Sequence, residues 1–176
     1  KKSEYLVLTM SADAKGNAPK PAESIEIEGK EFKVSAVRQK NSTYVTIVDV
    51  FGKGAFKPKL PFCSATITDN GHIFISGTIG ITPGTKKLVT GGIGPETKAI
   101  MVLIDAAMRA CGASMSHLTN VNIFLKDNDA DRFAAMNTAY VSYFGENPLP
   151  ARITVGCGGL ALGANVEIQA TGYCLA

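Results

Sequence analysis

The sequence predicts an α+β domain in which one mixed β-sheet carries two helices on one face. Three observations point to it. Two stretches, from about residue 95 to 111 and from about 129 to 145, repeat apolar residues at helical spacing. Short β-rich runs flank them, some joined by tight turns. Links are short, and each helix has one apolar stripe to bury, which a single sheet layer satisfies.

Residues 1–42 read as an N-terminal extension, and 43–176 as the main domain. Within the extension, Tyr5 to Leu8 has the composition of a short strand. Lys15 to Glu23, with Gly, Asn and two prolines, reads as loop. Ile25 to Glu28 and Glu31 to Val34 alternate with period two around Gly29-Lys30, a hairpin pattern, and Gln39 to Ser42 reads as a turn. Tyr44 to Val50 reads as a strand. Phe62 to Thr68 and His72 to Ser76 form a second hairpin around Asp69-Asn70-Gly71. Pro83-Gly84 marks a further turn.

Gly94-Pro95-Glu96 opens the first helix, with Pro at its first position. Ile100, Leu103, Ile104, Ala107, Met108 and Cys111 form its stripe, and Gly112 ends it as a left-handed cap. Val121 to Leu125 is a strand. Asp129 is the N-cap of the second helix, where Phe133, Met136, Tyr140 and Val141 share a face. Gly145 and Pro148 close it, and strands near 152–157 and 165–173 complete the chain. The second face of the sheet needs a cover. The row Val166, Ile168, Ala170 and the small residues Gly156, Gly158 and Gly159 suggest close backbone approach there, with a second subunit as the cover.

The chain is 45% apolar and 19% charged with a net charge of +3, ordinary for a globular domain and no argument for a polyanion partner. No apolar stretch is long enough to span a bilayer, and no secretory signal is visible. Cys63, Cys111, Cys157 and Cys174 form no Cys-x-x-Cys pair, so neither zinc nor a redox dithiol is expected. Reduced, packed thiols suit a reducing compartment: the cytoplasm, or a mitochondrial or other organellar matrix. His72 and His117 read as surface residues outside any triad pattern.

Two charges stand out. Arg152 sits within Pro150-Ala151-Arg152-Ile153-Thr154-Val155, and Glu167 within Val166-Glu167-Ile168. Charged residues rarely enter apolar strands without a partner. The pair reads either as a structural ion pair or as the floor of a site for a small carboxylate, which the planar Arg fork suits.

Six segments, in this order, resemble the RidA family (YjgF/YER057c/UK114, in older usage endoribonuclease L-PSP) over roughly residues 44–176. They are Ile75-Ser76-Gly77 followed by Pro83; Ala110-Cys111-Gly112-Ala113-Ser114; Val121 to Asp127; Met136-Asn137-Thr138-Ala139-Tyr140; Pro150-Ala151-Arg152; and Val166-Glu167-Ile168. The resemblance implies a chorismate-mutase-like fold and a homotrimer with clefts at subunit interfaces. It implies cofactor-independent hydrolysis of 2-enamine and 2-imine acids such as 2-aminoacrylate and 2-iminopropanoate to 2-keto acids and ammonia. Other relatives are described as ribonucleases, translation inhibitors or binding proteins, and fold alone does not choose among them.

By the same resemblance, Arg152 clamps the substrate carboxylate and Glu167 orients or activates the attacking water. Asn137, three residues before Tyr140 on one helix face, either supports the loop or the site through its amide or bonds a nearby backbone group. Ser76-Gly77 lines the cleft through its backbone unless Gly77 serves only the turn. The chain also departs from the family pattern. Where Gly-Pro-Tyr-Ser-Gln-Ala is usual, it reads Leu60-Pro61-Phe62-Cys63-Ser64-Ala65. Phe62 keeps an apolar wall but lacks the tyrosine hydroxyl, so the cleft is expected to be drier. Cys63 puts a thiol nearby, with no adjacent His or Lys to activate it. The usual helix Asn is apolar near Leu103, Leu160-Ala161 replaces Leu-Pro, and Gln169 stands where a second Glu is frequent. The leading expectation is therefore an imine deaminase. A carboxylate-binding protein without turnover is the alternative, and RNA cleavage ranks last because no His pair is available for acid–base work.

Overall fold

Period-two alternation of apolar residues runs through eight segments, and these segments form one sheet. The computed structural model describes residues 17–54 and 61–175. The strand read at Tyr5 to Leu8 lies outside the described residues. In chain order the elements are β1 (Ser24–Ile27), β2 (Lys30–Gln39), β3 (Ser42–Ile47), β4 (Ala65–Thr68), β5 (His72–Ile79), α1 (Ile93–Ala110), β6 (Leu118–Leu125), α2 (Ala130–Phe144), β7 (Ala151–Gly156) and β8 (Val166–Tyr173). The strands lie in the order β1-β2-β3-β4-β5-β8-β6-β7.

Among the described strands only the β6–β7 pair is parallel, with Val121 opposite Arg152. A parallel pair needs a crossover, and α2 supplies it. The others are antiparallel, including β5–β8, which shifts register between Ile75 and Thr78. Both helices cover one face, with α1 packed on β1, β5, β8 and α2. Ile100, Met101, Ile104, Ala107 and Met108 of α1 meet Ile73, Ile75, Val121, Ile123, Ile168 and Ala170 of the sheet in one core.

Local chemistry sets the helix ends. Asp129 caps α2 by accepting the Arg132 N–H at 2.9 Å. At the other end of α1, Gly112 (φ 78°) allows the Ala113 N–H to reach the Met108 carbonyl and the Gly112 N–H to reach that of Arg109, both at 2.9 Å. The start of α1 differs from the reading at Pro95, because the helix begins two residues earlier at Ile93. Its first bond runs from the Glu96 N–H to the Gly92 carbonyl, so proline, one residue before, breaks none.

Two assignments of faces are corrected. Val166, Ile168 and Ala170 point into the core beneath the helices, because the helices claim the most apolar row. The uncovered face instead carries Glu167, Gln169, Thr171 and Tyr173 of β8, with Phe74, Ile153 and Val155 exposed on neighbouring strands. Within one chain, nothing described lies within 4 Å of where a Cβ on Gly158 or Gly159 would sit. On α2 the buried residues are Met136, Ala139, Tyr140 and Phe144, while Phe133 and Val141 are exposed.

The β1–β2 hairpin turns at Glu28-Gly29, one residue earlier than the sequence pattern suggested, and extends the sheet through β3. It buries Ile25, Ile27 and Phe32, and the Arg109 guanidinium donates to the Glu26 carbonyl at 3.1 Å. Burying three such side chains stabilises by about 1.5–3 kcal/mol each. Their sum rivals a typical domain's whole stability of about 5–15 kcal/mol. A chain beginning at Thr43 should therefore lose cooperative urea unfolding, and an unchanged midpoint would contradict this.

Burial also pushes the Cys111 thiol up from 9.0 to about 12. Below pH 9 the thiol is protonated in both the folded and unfolded chain. Between about 9 and 12 only the unfolded chain ionises, so stability contributed by this group falls across that window. Folded protein at pH 8 should leave Cys111 unlabelled by iodoacetamide, as mass spectrometry of peptides would show.

Candidate functional site: two half-sites on opposite faces

Arg152 lies on β7, at the edge of the sheet, half-buried on the face that the helices cover. Its Nη1 donates to Asn137 Oδ1 at 2.7 Å. Its guanidinium carbon lies 5.0 Å from the centre of the Tyr140 ring and 5.9 Å from that of Phe133. All three partners project from α2, at positions 133, 137 and 140, which helical spacing brings to one side. Each partner is neutral. The aromatic faces attract the cation without cancelling it.

Among the described residues, no carboxylate lies within ion-pair distance of Arg152. The structural ion pair with Glu167 is thereby excluded within one chain. Two nearby hydroxyls also lack partners among the described residues: Tyr140 Oη and Thr154 Oγ1, both buried. Burial raises the Tyr140 hydroxyl above its usual value, and the Arg152 charge acts against that shift.

Glu167 belongs to the opposite face. It pairs with Phe124 of β6 and Ile79 of β5, half-buried, while its neighbours Val166 and Ile168 are buried. Its carboxylate oxygen lies directly over Gly77, within a spot that a Cβ on that glycine would occupy. The register shift in β5 falls at Ser76 and Gly77, which lets backbone replace side chain beside the carboxylate.

Ser76 Oγ donates to the Cys63 carbonyl at 2.8 Å, and the Ser76 N–H donates to the Ser64 carbonyl at 3.1 Å. Cys63 Sγ approaches Thr66 Oγ1 at 3.5 Å. Phe62 meets Phe51 edge to face at 6.1 Å between ring centres. A small cavity of about 40 Å³ lies behind them, lined by Phe51, Phe62, Gly77, Ile79, Leu103 and Ala107. Phe62, Cys63, Gly77 and Glu167 thus gather at one corner, and Arg152 with Asn137 at another.

The two corners are not brought together within the chain. Arg152 stands level with Val121 and Glu167 with Phe124, three residues apart along β6, with β6 between their strands. At about 3.3 Å per residue and about 4.8 Å per strand, their backbones are roughly 14 Å apart, on opposite faces.

The sequence places Tyr140 in the apolar stripe and on the face of Asn137 without a role at the site, and Thr154 carries no role in it either. The three-residue spacing from Asn137 was the available signal for Tyr140. His117 is half-buried rather than at the surface, and its Nδ1 lies 2.9 Å from Ser114 Oγ and 3.1 Å from the Ser114 N–H, where it caps a single turn. His72 is exposed between the rings of Phe74 and Tyr173.

Gly77→Ala should displace the Glu167 carboxylate, since a Cβ would take its place. The obstacle is the end of a flexible side chain, so stability should change by less than about 1 kcal/mol. A crystal structure with Glu167 unmoved would contradict this.

Comparison with known proteins accounts for both the architecture and the residue pattern. The family model described as endoribonuclease L-PSP matches residues 52–174. A RutC family protein of Pyrococcus horikoshii is 38% identical over 125 residues, covering 70% of this chain and 95% of that one. A protein of Dermatophagoides farinae named 2-iminobutanoate/2-iminopropanoate deaminase is 37% identical over 114 residues, covering 64% and 85%. The yeast crystal structure YEO7 superposes with a TM-score of 0.60 at 31% identity, covering 71% of this chain and 93% of that one. YyfA of Yersinia pestis, a Rid family protein described as of unknown function, gives 0.62 at 28%, covering 80% and 99%. With the mixed sheet, its two helices and the matched segment, the chain belongs to the endoribonuclease L-PSP family, the RidA/YjgF proteins.

Proposed function

We propose that this protein hydrolyses 2-imino acids, the tautomers of 2-enamines such as 2-aminoacrylate, to 2-keto acids and ammonia. The observation that carries the reading is Arg152, a half-buried cation held by an amide oxygen and two aromatic rings, with no carboxylate among the described residues within ion-pair distance. Its remaining N–H groups suit a bidentate bond to a substrate carboxylate. Relatives bearing an imine deaminase name at 32–37% identity support the reaction class.

In the proposed step, Glu167 takes a proton from water as the water oxygen bonds to the imine carbon. Glu167 returns that proton to the nitrogen to give the carbinolamine. The carbinolamine hydroxyl proton then passes through the same carboxylate to the amino group, so that the C–N bond breaks, ammonia leaves and the carbonyl forms. No redox partner is needed for the balance, and no cofactor is invoked.

Arg152 and Glu167 of one chain cannot hold the same small molecule across roughly 14 Å and two faces. We therefore place the complete site between copies, with Arg152 and Asn137 from one and Glu167, Gly77, Cys63 and Phe62 from its neighbour. The exposed apolar residues on the uncovered face, Val37 of β2, Tyr44 of β3 and, across Thr66 of β4, Phe74 of β5, support self-association. A homotrimer is the proposed assembly and the cytoplasm the proposed compartment; residues 43–176 are proposed to carry every residue of the site, on a fold that also needs the β1–β2 hairpin.

A second reading, carboxylate binding without turnover, is favoured by Phe62, whose ring cannot hydrogen-bond substrate or water. One assay separates the two. A threonine or serine dehydratase generates the enamine, and keto-acid release is followed. Wild type should accelerate release, Arg152→Ala should lower kcat/KM by at least about 10²-fold, and Arg152→Lys should chiefly raise KM, because it keeps charge without the fork. Calorimetric binding of 2-ketobutyrate without acceleration would replace the enzyme by the binding protein. A monomer mass in light scattering would remove the shared site.

A further inference from the structure

Glu96 is the most deeply buried carboxylate among the described residues, 3% exposed, and no Lys, Arg or His there pairs with it. Burying a carboxylate is costly unless hydrogen bonds replace water. Both of its oxygens are used on one residue. Oε2 accepts the backbone N–H of Asn165 at 2.8 Å, and Oε1 accepts from the Asn165 side-chain amide. The position in the first turn of α1 adds the favourable end of the helix dipole.

Asn165 is the residue before β8, two before Glu167. Its carbonyl accepts the Lys126 N–H at 3.0 Å, at the end of β6. One side of the same junction is formed by Gly80, which follows Ile79, the β5 partner of Glu167. A Cβ on Gly80 would come within 2.6 Å of Glu96 Cα and of its carbonyl oxygen, so only glycine lets β5 run this close to the helix. Glu96 therefore ties the start of α1 to the point where β5, β6 and β8 meet.

We propose that Glu96 is a positioning residue for Glu167: the Glu96–Asn165 tether fixes the entry of β8 and with it the carboxylate that handles water. The proposal rests on the imine-hydrolase reading. Arg152, on β7, is held by α2 and owes nothing to this tether. Loss of the tether should therefore impair the chemical step and leave substrate binding nearly intact.

The test uses full-length protein. Glu96→Leu removes both acceptors at similar volume. Glu96→Gln keeps one for the backbone N–H, and its amide can donate to Asn165 once that side chain flips. Glu96→Leu should lower kcat at least about tenfold with KM within about twofold, as expected when a reacting group is misplaced. Glu96→Gln should restore most of the rate. An unchanged kcat in Glu96→Leu, an equal loss in Glu96→Gln, or a KM that rises as far as kcat falls would overturn the proposal. Should Glu96→Leu fail to fold, Asn165→Ala removes the side-chain bond alone, and the same criteria apply to it. Amide hydrogen exchange decides the tether without turnover. Glu96→Leu should speed exchange at the Asn165 amide and leave β7 unchanged, and unchanged protection at Asn165 overturns the proposal. Absence of turnover in wild type would instead count against the imine-hydrolase reading.

Discussion

The alternation of side chains along β8 is the constraint from which the rest follows. Val166, Ile168 and Ala170 go under the helices, so Glu167, Gln169 and Thr171 must face the other way. A slip of one residue would bury the carboxylate and expose the core row. Pairing on both sides, to β5 and to β6, and the bond network at Asn165 hold the register. With β8 fixed, Glu167 has one available neighbourhood, the bulged backbone at Ser76 and Gly77.

Arg152 is a cation kept in reserve. Arg38 pairs with Asp69, and Arg132 with Asp127 and Asp129, on exposed surface where such pairs contribute little. Arg152 differs because its neighbours orient it and leave its charge unneutralised. Asn137 uses one N–H, and the rings of Tyr140 and Phe133 flank the guanidinium. That arrangement costs some desolvation, which an arriving anion would offset. The two half-sites then share a simple logic, in which one face offers an anion anchor and the other a carboxylate beside an apolar wall.

Much of this was legible in the residues. Helical periodicity located both helices, the Asn-Gly turn located the β4–β5 hairpin, and Gly112 ended α1 through the bonds expected of it. Arg152, Glu167 and Asn137 stood out because polar groups interrupted apolar runs or matched a family segment. Other features depend on contacts between distant segments and leave no local trace. Glu96 looks like any acidic residue in a first helical turn, and its partner Asn165 like a loop residue. Gly77 reads as a turn former or a cleft-lining residue and Gly80 carries no local signal, whereas a close neighbour fills the space beside each. The row Val166, Ile168 and Ala170 of β8 belongs under the helices rather than on the uncovered face, because only the packed helices decide which row is covered.

Subunit complementation tests the central claim, a catalytic site divided between copies. Arg152→Ala and Glu167→Ala subunits are prepared separately, shown to be inactive, and refolded together in equal amounts. In a cyclic homo-oligomer with random assortment, about one interface in four unites an intact Arg152 with an intact Glu167 from the neighbouring chain. Imine hydrolysis should then recover to about a quarter of the wild-type rate under that random assortment. If hybrids are shown to form and remain as inactive as either parent, the divided site is contradicted.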